Sequence, residues 1–205
     1  KLGTMNAGTT AATVSYIYSG SSGYVYLYSS NSGINIYKIQ VDSSASSGSG
    51  SSSSGSSTTD TSNGTVVTSF SELTAAVTKA EKAGGGIVYV KGSSISCTAQ
   101  LALKASNANV SIIGVKNSDG TYPVLDFSAF RSAYIGKATT DSEVGIRISG
   151  SNYTIKNLII QKAPDNGIQI KGSSAGNNTI ENCIVRYNND AGVQITGGAY
   201  SNTMR

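Results

Sequence analysis

Between residues 145 and 196 the chain repeats itself, and that repeat restricts the fold more than anything else in the sequence. GIRIS at 145–149 returns as GIQIK at 167–171 and as GVQIT at 192–196. TIKNLII at 154–160 returns as TIENCIV at 179–185. Ile155, Asn157, Leu158, Ile160, Asp165, Gly167, Ile168 and Ile170 have counterparts 25 positions on: Ile180, Asn182, Cys183, Val185, Asp190, Gly192, Val193 and Ile195. A unit this short cannot bury its own apolar face, so copies of it must stack on one another.

The period inside the unit is two. Ile146 and Ile148 alternate with Arg147, and Ile168 and Ile170 with Gln169. Such alternation reads as strands with one buried face. The runs are short, β-branched and bounded by Gly, Asn, Asp or Ser, which suit turns. No segment of helical period separates them, which argues against a βαβ sheet. The expectation is a right-handed parallel β-helix, an all-β fold with two or three short strands per turn. Its inward set is Ile146, Ile148, Ile155, Leu158, Ile160, Ile168, Ile170, Ile180, Cys183, Val185, Val193 and Ile195. The step from Gly145 to Gly167 is 22 residues and that from Gly167 to Gly192 is 25, so three extra residues fall on a loop near 173–176.

Asn157 and Asn182 share a register. Stacked strands lie about 4.8 Å apart, so the two amides can bond along the helix axis as a structural ladder. Ahead of the coils, Ser69 and Glu72 have the spacing of a capping box. Phe70, Leu73, Val77 and Ala80 follow at helical spacing, and Gly84, Gly85 and Gly86 end the helix. This helix is expected to cover the first coil, whose apolar core and unpaired backbone would otherwise be open. Short apolar runs follow at 87–90, 101–103, 110–115 and 124–127.

Residues 1–41 differ. They hold Tyr16, Tyr18, Tyr24, Tyr26, Tyr28 and Tyr37, and 13–19, 23–29 and 34–41 read as antiparallel strands with tight turns. Three strands do not make a sandwich, so they are expected to be the last strands of a truncated β-sandwich module. Tyr24, Tyr26 and Tyr28 fall on one face. They are either a sugar-stacking platform or cross-strand packing, and packing is the plainer account. Residues 43–57 contain eleven Ser, three Gly and one Ala, a flexible linker. The expected organisation is therefore 1–41 sandwich strands, 42–64 linker and 65–205 β-helix coils, with the chain ending in mid-stack.

Composition narrows the function less than the repeat narrows the fold. The net charge is +4, with 15 basic and 11 acidic residues and no His. The basic residues are scattered, which argues against a nucleic-acid partner. No apolar run approaches the roughly 20 residues of a membrane span. Cys183 stands where the earlier copy has Leu158, so it reads as a core side chain. Cys97 lies in a Ser-rich turn, and no disulfide between the two is expected.

Three segments resemble the secreted pectate lyases, in particular family 9 of the polysaccharide lyases. They are SFSELTAAVTKAEKAGGGIVYVKG, GIRISGSNYTIKNLIIQKAPDNGIQI and NTIENCIVRYNNDAGVQI. NSGINIYKIQV, before the Ser-rich linker, resembles the end of a galactose-binding-like β-sandwich. The resemblance implies an extracellular enzyme, monomeric at full length, that cleaves polygalacturonate by β-elimination. A base removes the C5 proton, the C4–O4 bond breaks, and Ca²⁺ on the uronate carboxylate stabilises the developing charge. The family's Asp cluster and basic catalyst lie in motifs resembling DGF-x-x-K and DDGWD. Neither occurs here, so no catalytic residue is carried over, and this chain alone is expected to be inactive.

Asp165 and Asp190 are the local metal candidates, stacked by the repeat. Two carboxylates about 5 Å apart repel by only roughly 1 to 3 kcal/mol, which turn hydrogen bonds and solvent offset, so the turn role is the plainer account and no metal is required. Lys162, Lys171, Arg147 and Arg186 are candidates for facing a polyuronate groove or are simply solvated charges. Two other readings keep the fold and change the function. One is a non-catalytic adhesin or glycan-binding protein. The other is a polygalacturonase-type hydrolase, which needs paired carboxylates.

Overall fold

The computed structural model describes residues 59–134 and 142–205. The expected sandwich strands with Tyr24, Tyr26 and Tyr28, and the Ser-rich run at 43–57, lie outside the described residues. The last positions of the expected linker form a turn, in which Gly64 N–H donates to Thr61 O and Tyr89 Oη donates to Asn63 Oδ1.

The repeat builds three parallel sheets wound into a β-helix. The first sheet, A, joins β1 (Thr65–Val67), β2 (Gly86–Val90), β5 (Val110–Gly114), β8 (Tyr153–Lys156), β11 (Thr179–Glu181) and β14 (Thr203–Met204) in that order. Sheet B joins β3 (Ser94–Ser96), β6 (Val124–Asp126), β9 (Ile159–Gln161) and β12 (Ile184–Arg186). Sheet C joins β4 (Leu101–Leu103), β7 (Ile146–Ile148), β10 (Ile168–Lys171) and β13 (Val193–Thr196). Every neighbouring pair is parallel, and the chain visits A, B and C in turn on each coil.

The inward set fills the coil interior. Ile146, Ile148, Ile155, Ile160, Ile168 and Ile170 are wholly buried, and Leu158 and Ile180 nearly so. Cys183, Val185 and Val193 are only partly buried, packed against that core. Ile195, expected inside, is 41% exposed, because β13 is the outermost described strand of sheet C and nothing is paired on its far side. Cys97 corrects its reading as a turn residue. It follows β3, is wholly buried and belongs to the core. Both thiols are free. Burial pushes Cys97 up to about 12 and Cys183 up to about 11, so both are protonated at neutral pH.

The recurring Gly-Ile has a steric cause. Ile146 N–H donates to Gly167 O and Ile168 N–H to Gly192 O, both at 2.9 Å. A Cβ on Gly145 would stand 2.7 Å from Gly167 O, and one on Gly167 would stand 2.8 Å from Gly192 O. The coils meet too closely there for a side chain. The pairing Thr154↔Thr179 keeps the 25-residue step while Ile148↔Ile170 does not, so the extra residues sit between β10 and β11.

Helix α1 (Phe70–Ala83) starts on the expected capping box. Ser69 Oγ accepts from Glu72 N–H, and Glu72 Oε2 accepts from the N–H groups of Ser69 and Thr68. Those hydrogen bonds, Thr68 first, hold the Glu72 carboxyl below its ordinary value. Gly84 closes the helix in the left-handed region at φ 76°. Leu73, Ala76 and Val77 are buried against the first coil. Tyr153, inside the stack, donates its hydroxyl to Glu81 of the helix and accepts from Ala105 N–H, tying lid to coils.

Two elements have no counterpart in the repeat. A short helix α2 (Ser128–Ser132) leaves β6, and the connection between β6 and β7 makes the second coil the longest. Arg131 of α2 reaches the later coils, donating to Tyr187 O at 3.1 Å and Asn189 Oδ1 at 2.9 Å.

Candidate functional site

The inward residues are spent on the core, so chemistry must come from the outward columns and the turns. Asn157 and Asn182 stand at turns. Asn182 Nδ2 donates to Asn157 Oδ1 at 2.7 Å. Both have positive φ, 59° and 48°, a conformation Asn tolerates better than most residues. Asn157 is half-buried and Asn182 exposed, so this ladder lies at the surface rather than in the core. A deeper Asn pair is another one. Asn178, fully buried, donates to Asn202 Oδ1 at 3.0 Å and to Gly150 O at 3.1 Å, and accepts from Tyr153 N–H.

Asp165 and Asp190 each precede a strand of sheet C by the same number of residues, as does Glu143 before β7. Asp165 is half-buried and Asp190 exposed. Asp165 Oδ2 accepts from Asn166 Nδ2 at 3.2 Å, and Asp165 O accepts from the N–H groups of Asn189 and Asp190. Among the described residues no group of three or more His, Cys, Asp or Glu side chains could hold a metal. The stacked carboxylates therefore do not fit a Ca²⁺ site by themselves, since a hard cation needs several convergent oxygens.

The four basic candidates do not share a face. Lys162 and Arg186 belong to sheet B. Lys162 Nζ stands 3.0 Å from Asp126 Oδ2, and Gln161 Nε2 donates to the same oxygen at 2.7 Å. Arg186 Nε donates to Gln161 Oε1 at 2.9 Å. Asp126, Gln161 and Arg186 are register neighbours, so the column closes on itself. Burial raises the Asp126 carboxyl, but hydrogen bonds from Ser128, Gln161 and Lys162 outweigh it and hold the group far below the usual carboxylate range. Sheet A closes similarly, with Glu181 between Lys156 at 2.8 Å and Arg205 at 3.0 Å.

Arg147 and Lys171 belong to sheet C. Arg147 pairs in register with Ala102 and Gln169, and Gln169 with Gln194. Arg147 Nη1 donates to Gln169 Oε1 at 2.7 Å, and Gln169 Nε2 donates to Gln194 Oε1 at 2.6 Å. Gln169 is only 2% exposed although its column faces outward, so the amide rail is dry where it holds the guanidinium. Lys171 and Thr196 end β10 and β13, and Lys104 and Ser149 directly follow β4 and β7. No carboxylate stands in either outward row. Gln100, Lys104, Ser142, Arg147 and Ser149 line an open groove of about 280 Å³. A larger groove of about 520 Å³ lies on α1, but it is lined only by Thr74, Ala75, Thr78, Lys79 and Lys82. One helix supplies all its walls, so it offers a ligand no opposing contacts.

The rail of Gln169 and Gln194 and the cations Lys104, Arg147 and Lys171 were not grouped from the sequence. Writing the outward residues of the repeat in the same register as the inward ones would have aligned Arg147, Gln169 and Gln194. Asp126 was hidden differently, because the long connection after β6 breaks the repeat.

Residues 53–205 match the family model described as "Pel9A-like, right handed beta helix region". The curated protein "Pectate lyase L" of Paenibacillus polymyxa (strain SC2) is 31% identical over 104 residues, which cover 50% of this chain and 21% of that protein. The chain thus spans about a fifth of the length of that relative. No solved structure matches.

Proposed function

The chain belongs to the Pel9A-like right-handed β-helix family, and on that premise we propose that it is part of an extracellular pectate lyase that cleaves polygalacturonate by Ca²⁺-dependent β-elimination. The observation that carries the reading is the family match across the described coils, supported by the similarity to a protein named as a pectate lyase. In the proposed reaction a base takes the C5 proton of a uronate, and the C–H electron pair becomes the C4–C5 double bond. The C4–O4 bond breaks, and O4 leaves with a proton. Bound Ca²⁺ would supply charge stabilisation at the uronate carboxylate.

This chain's described carboxylates do not make that metal site. The proposal therefore gives the described coils the work of holding the glycan and assigns proton abstraction to none of their residues. The acidic substrate suits a chain of net charge +4. Among the described residues no helix is long and apolar enough to cross a membrane.

The test is the full-length protein with polygalacturonate and Ca²⁺, followed by the ultraviolet absorbance of unsaturated uronides. The proposal expects absorbance that grows with time and disappears with chelator. Cleavage giving reducing ends without absorbance would mean hydrolysis, and no cleavage would mean a glycan-binding or adhesive β-helix. The 205-residue chain alone is expected to give no unsaturated product.

A further inference from the structure

We propose that α2 is a clasp that ties the second coil to the fourth, so that the second, third and fourth coils open as one unit. The inference goes beyond the polyuronide reading and does not depend on it. In a stack of coils each coil normally touches only the coils next to it, so opening can spread one coil at a time. Arg131 departs from that rule. It belongs to the connection of the second coil, between β6 and β7. Its guanidinium donates to Tyr187 O at 3.1 Å and to Asn189 Oδ1 at 2.9 Å, in the turn after β12 of the fourth coil. The third coil, made of β8, β9 and β10, is spanned.

Both ends of the clasp are anchored. Where α2 begins, Asp126 Oδ1 accepts from Ser128 N–H at 2.8 Å, while Asp126 Oδ2 holds Gln161 and Lys162 of the third coil. Phe127 is wholly buried and meets Phe70 of α1 edge to face, with ring centroids 6.5 Å apart. Phe130, inside α2, is buried too, so lifting the helix would bring an aromatic side chain into water. At the far end, the turn that Arg131 grips is itself seated on the third coil. Asn188 Oδ1 accepts from Ala163 N–H at 2.9 Å. Asn189 N–H donates to Ala163 O at 3.2 Å and to Asp165 O at 3.1 Å. A guanidinium is a planar fork, so two acceptors on different residues fix the turn more firmly than one point contact would. A continuous path therefore runs from α1 through Phe70, Phe127 and Arg131 to the fourth coil. Loosening that coil breaks bonds made by the second, which makes the opening collective.

The test is native-state hydrogen exchange of the full-length protein, read peptide by peptide by mass spectrometry over a range of low denaturant. In the parent, peptides covering β6, β9 and β12 are expected to share one dependence on denaturant, as parts of a single opening unit do. In Arg131→Gln the peptide covering β12 and its turn should exchange about tenfold faster, as loss of a charge-assisted hydrogen bond does. Its denaturant dependence should then separate from those of β6 and β9. Asn189→Ala removes one acceptor from the other side of the contact, so it reads the clasp even if Arg131→Gln folds poorly. It should give a smaller change of the same kind, and the two substitutions together should change exchange by less than the product of their separate effects. Equal acceleration of all three peptides in Arg131→Gln would make this side chain a plain stabiliser and overturn the clasp. Unchanged exchange in that variant, or separate denaturant dependences in the parent, would overturn it as well.

Discussion

Sheets B and C are wound from the same coils and share the same interior, yet their outward columns have opposite characters. On sheet B, Asp126 gathers Lys162 and Gln161, and Gln161 gathers Arg186, so the polar groups satisfy one another. On sheet C the outward residues in register are Arg147, Gln169 and Gln194, and the two amides form a rail that holds the guanidinium at the wall of an open groove. A charge answered within its own column contributes to stability. The fold alone does not distinguish the two faces, because both are produced by the same alternation.

The comparison can be broken at several points. The largest effect should come from the frame that both faces share. Ile155 is wholly buried, and Ile155→Ala should cost about 2–5 kcal/mol in denaturant unfolding. Glycan binding should then fall only as the unfolded fraction rises, whereas two faces on independent frames would be lost separately. Next in size is Asp126→Asn, expected to cost about 1–3 kcal/mol by removing charged hydrogen bonds. Its pH signature is specific. A carboxyl depressed in the folded state contributes stability that is complete above its unfolded value near 3.9 and is lost as pH falls through the folded value. Melting temperature should therefore drop below about pH 4 in the parent chain, and Asp126→Asn should flatten that slope. Ser69→Ala should cost about 1 kcal/mol, the usual value of a helix cap, without touching either face. The smallest effect expected is thiol reactivity. Cys97 and Cys183, pushed up to about 12 and about 11, should resist alkylation at neutral pH until the protein unfolds.

What could be read from the sequence was what obeys a period. The alternation of Ile146, Ile148, Ile168 and Ile170 gave the sheet, its register and its core, because an inward position has one requirement, to be apolar and fit. The capping box at Ser69 and Glu72 was equally legible, since both its hydrogen bonds are local. Ile195 escaped because burial depends on a neighbouring strand, which a residue's own pattern does not encode. Cys97 escaped because β3 holds only three residues and offers a single apolar position between two serines. The site was harder still. What Lys162 or Arg147 meets depends on Asp126 or Gln169, far away in sequence and brought alongside only by stacking. Asp165 and Asp190 were correctly aligned by the repeat, but alignment does not supply the further oxygens a metal needs.

The account's central claim is that these coils belong to a lyase of polygalacturonate. One measurement tests it most directly: the full-length protein with polygalacturonate and Ca²⁺, followed by the ultraviolet absorbance of unsaturated uronides, with reducing ends assayed in the same samples. The account predicts absorbance that rises together with the reducing ends and stops when chelator is added. Reducing ends without absorbance, or no cleavage at all, would contradict it.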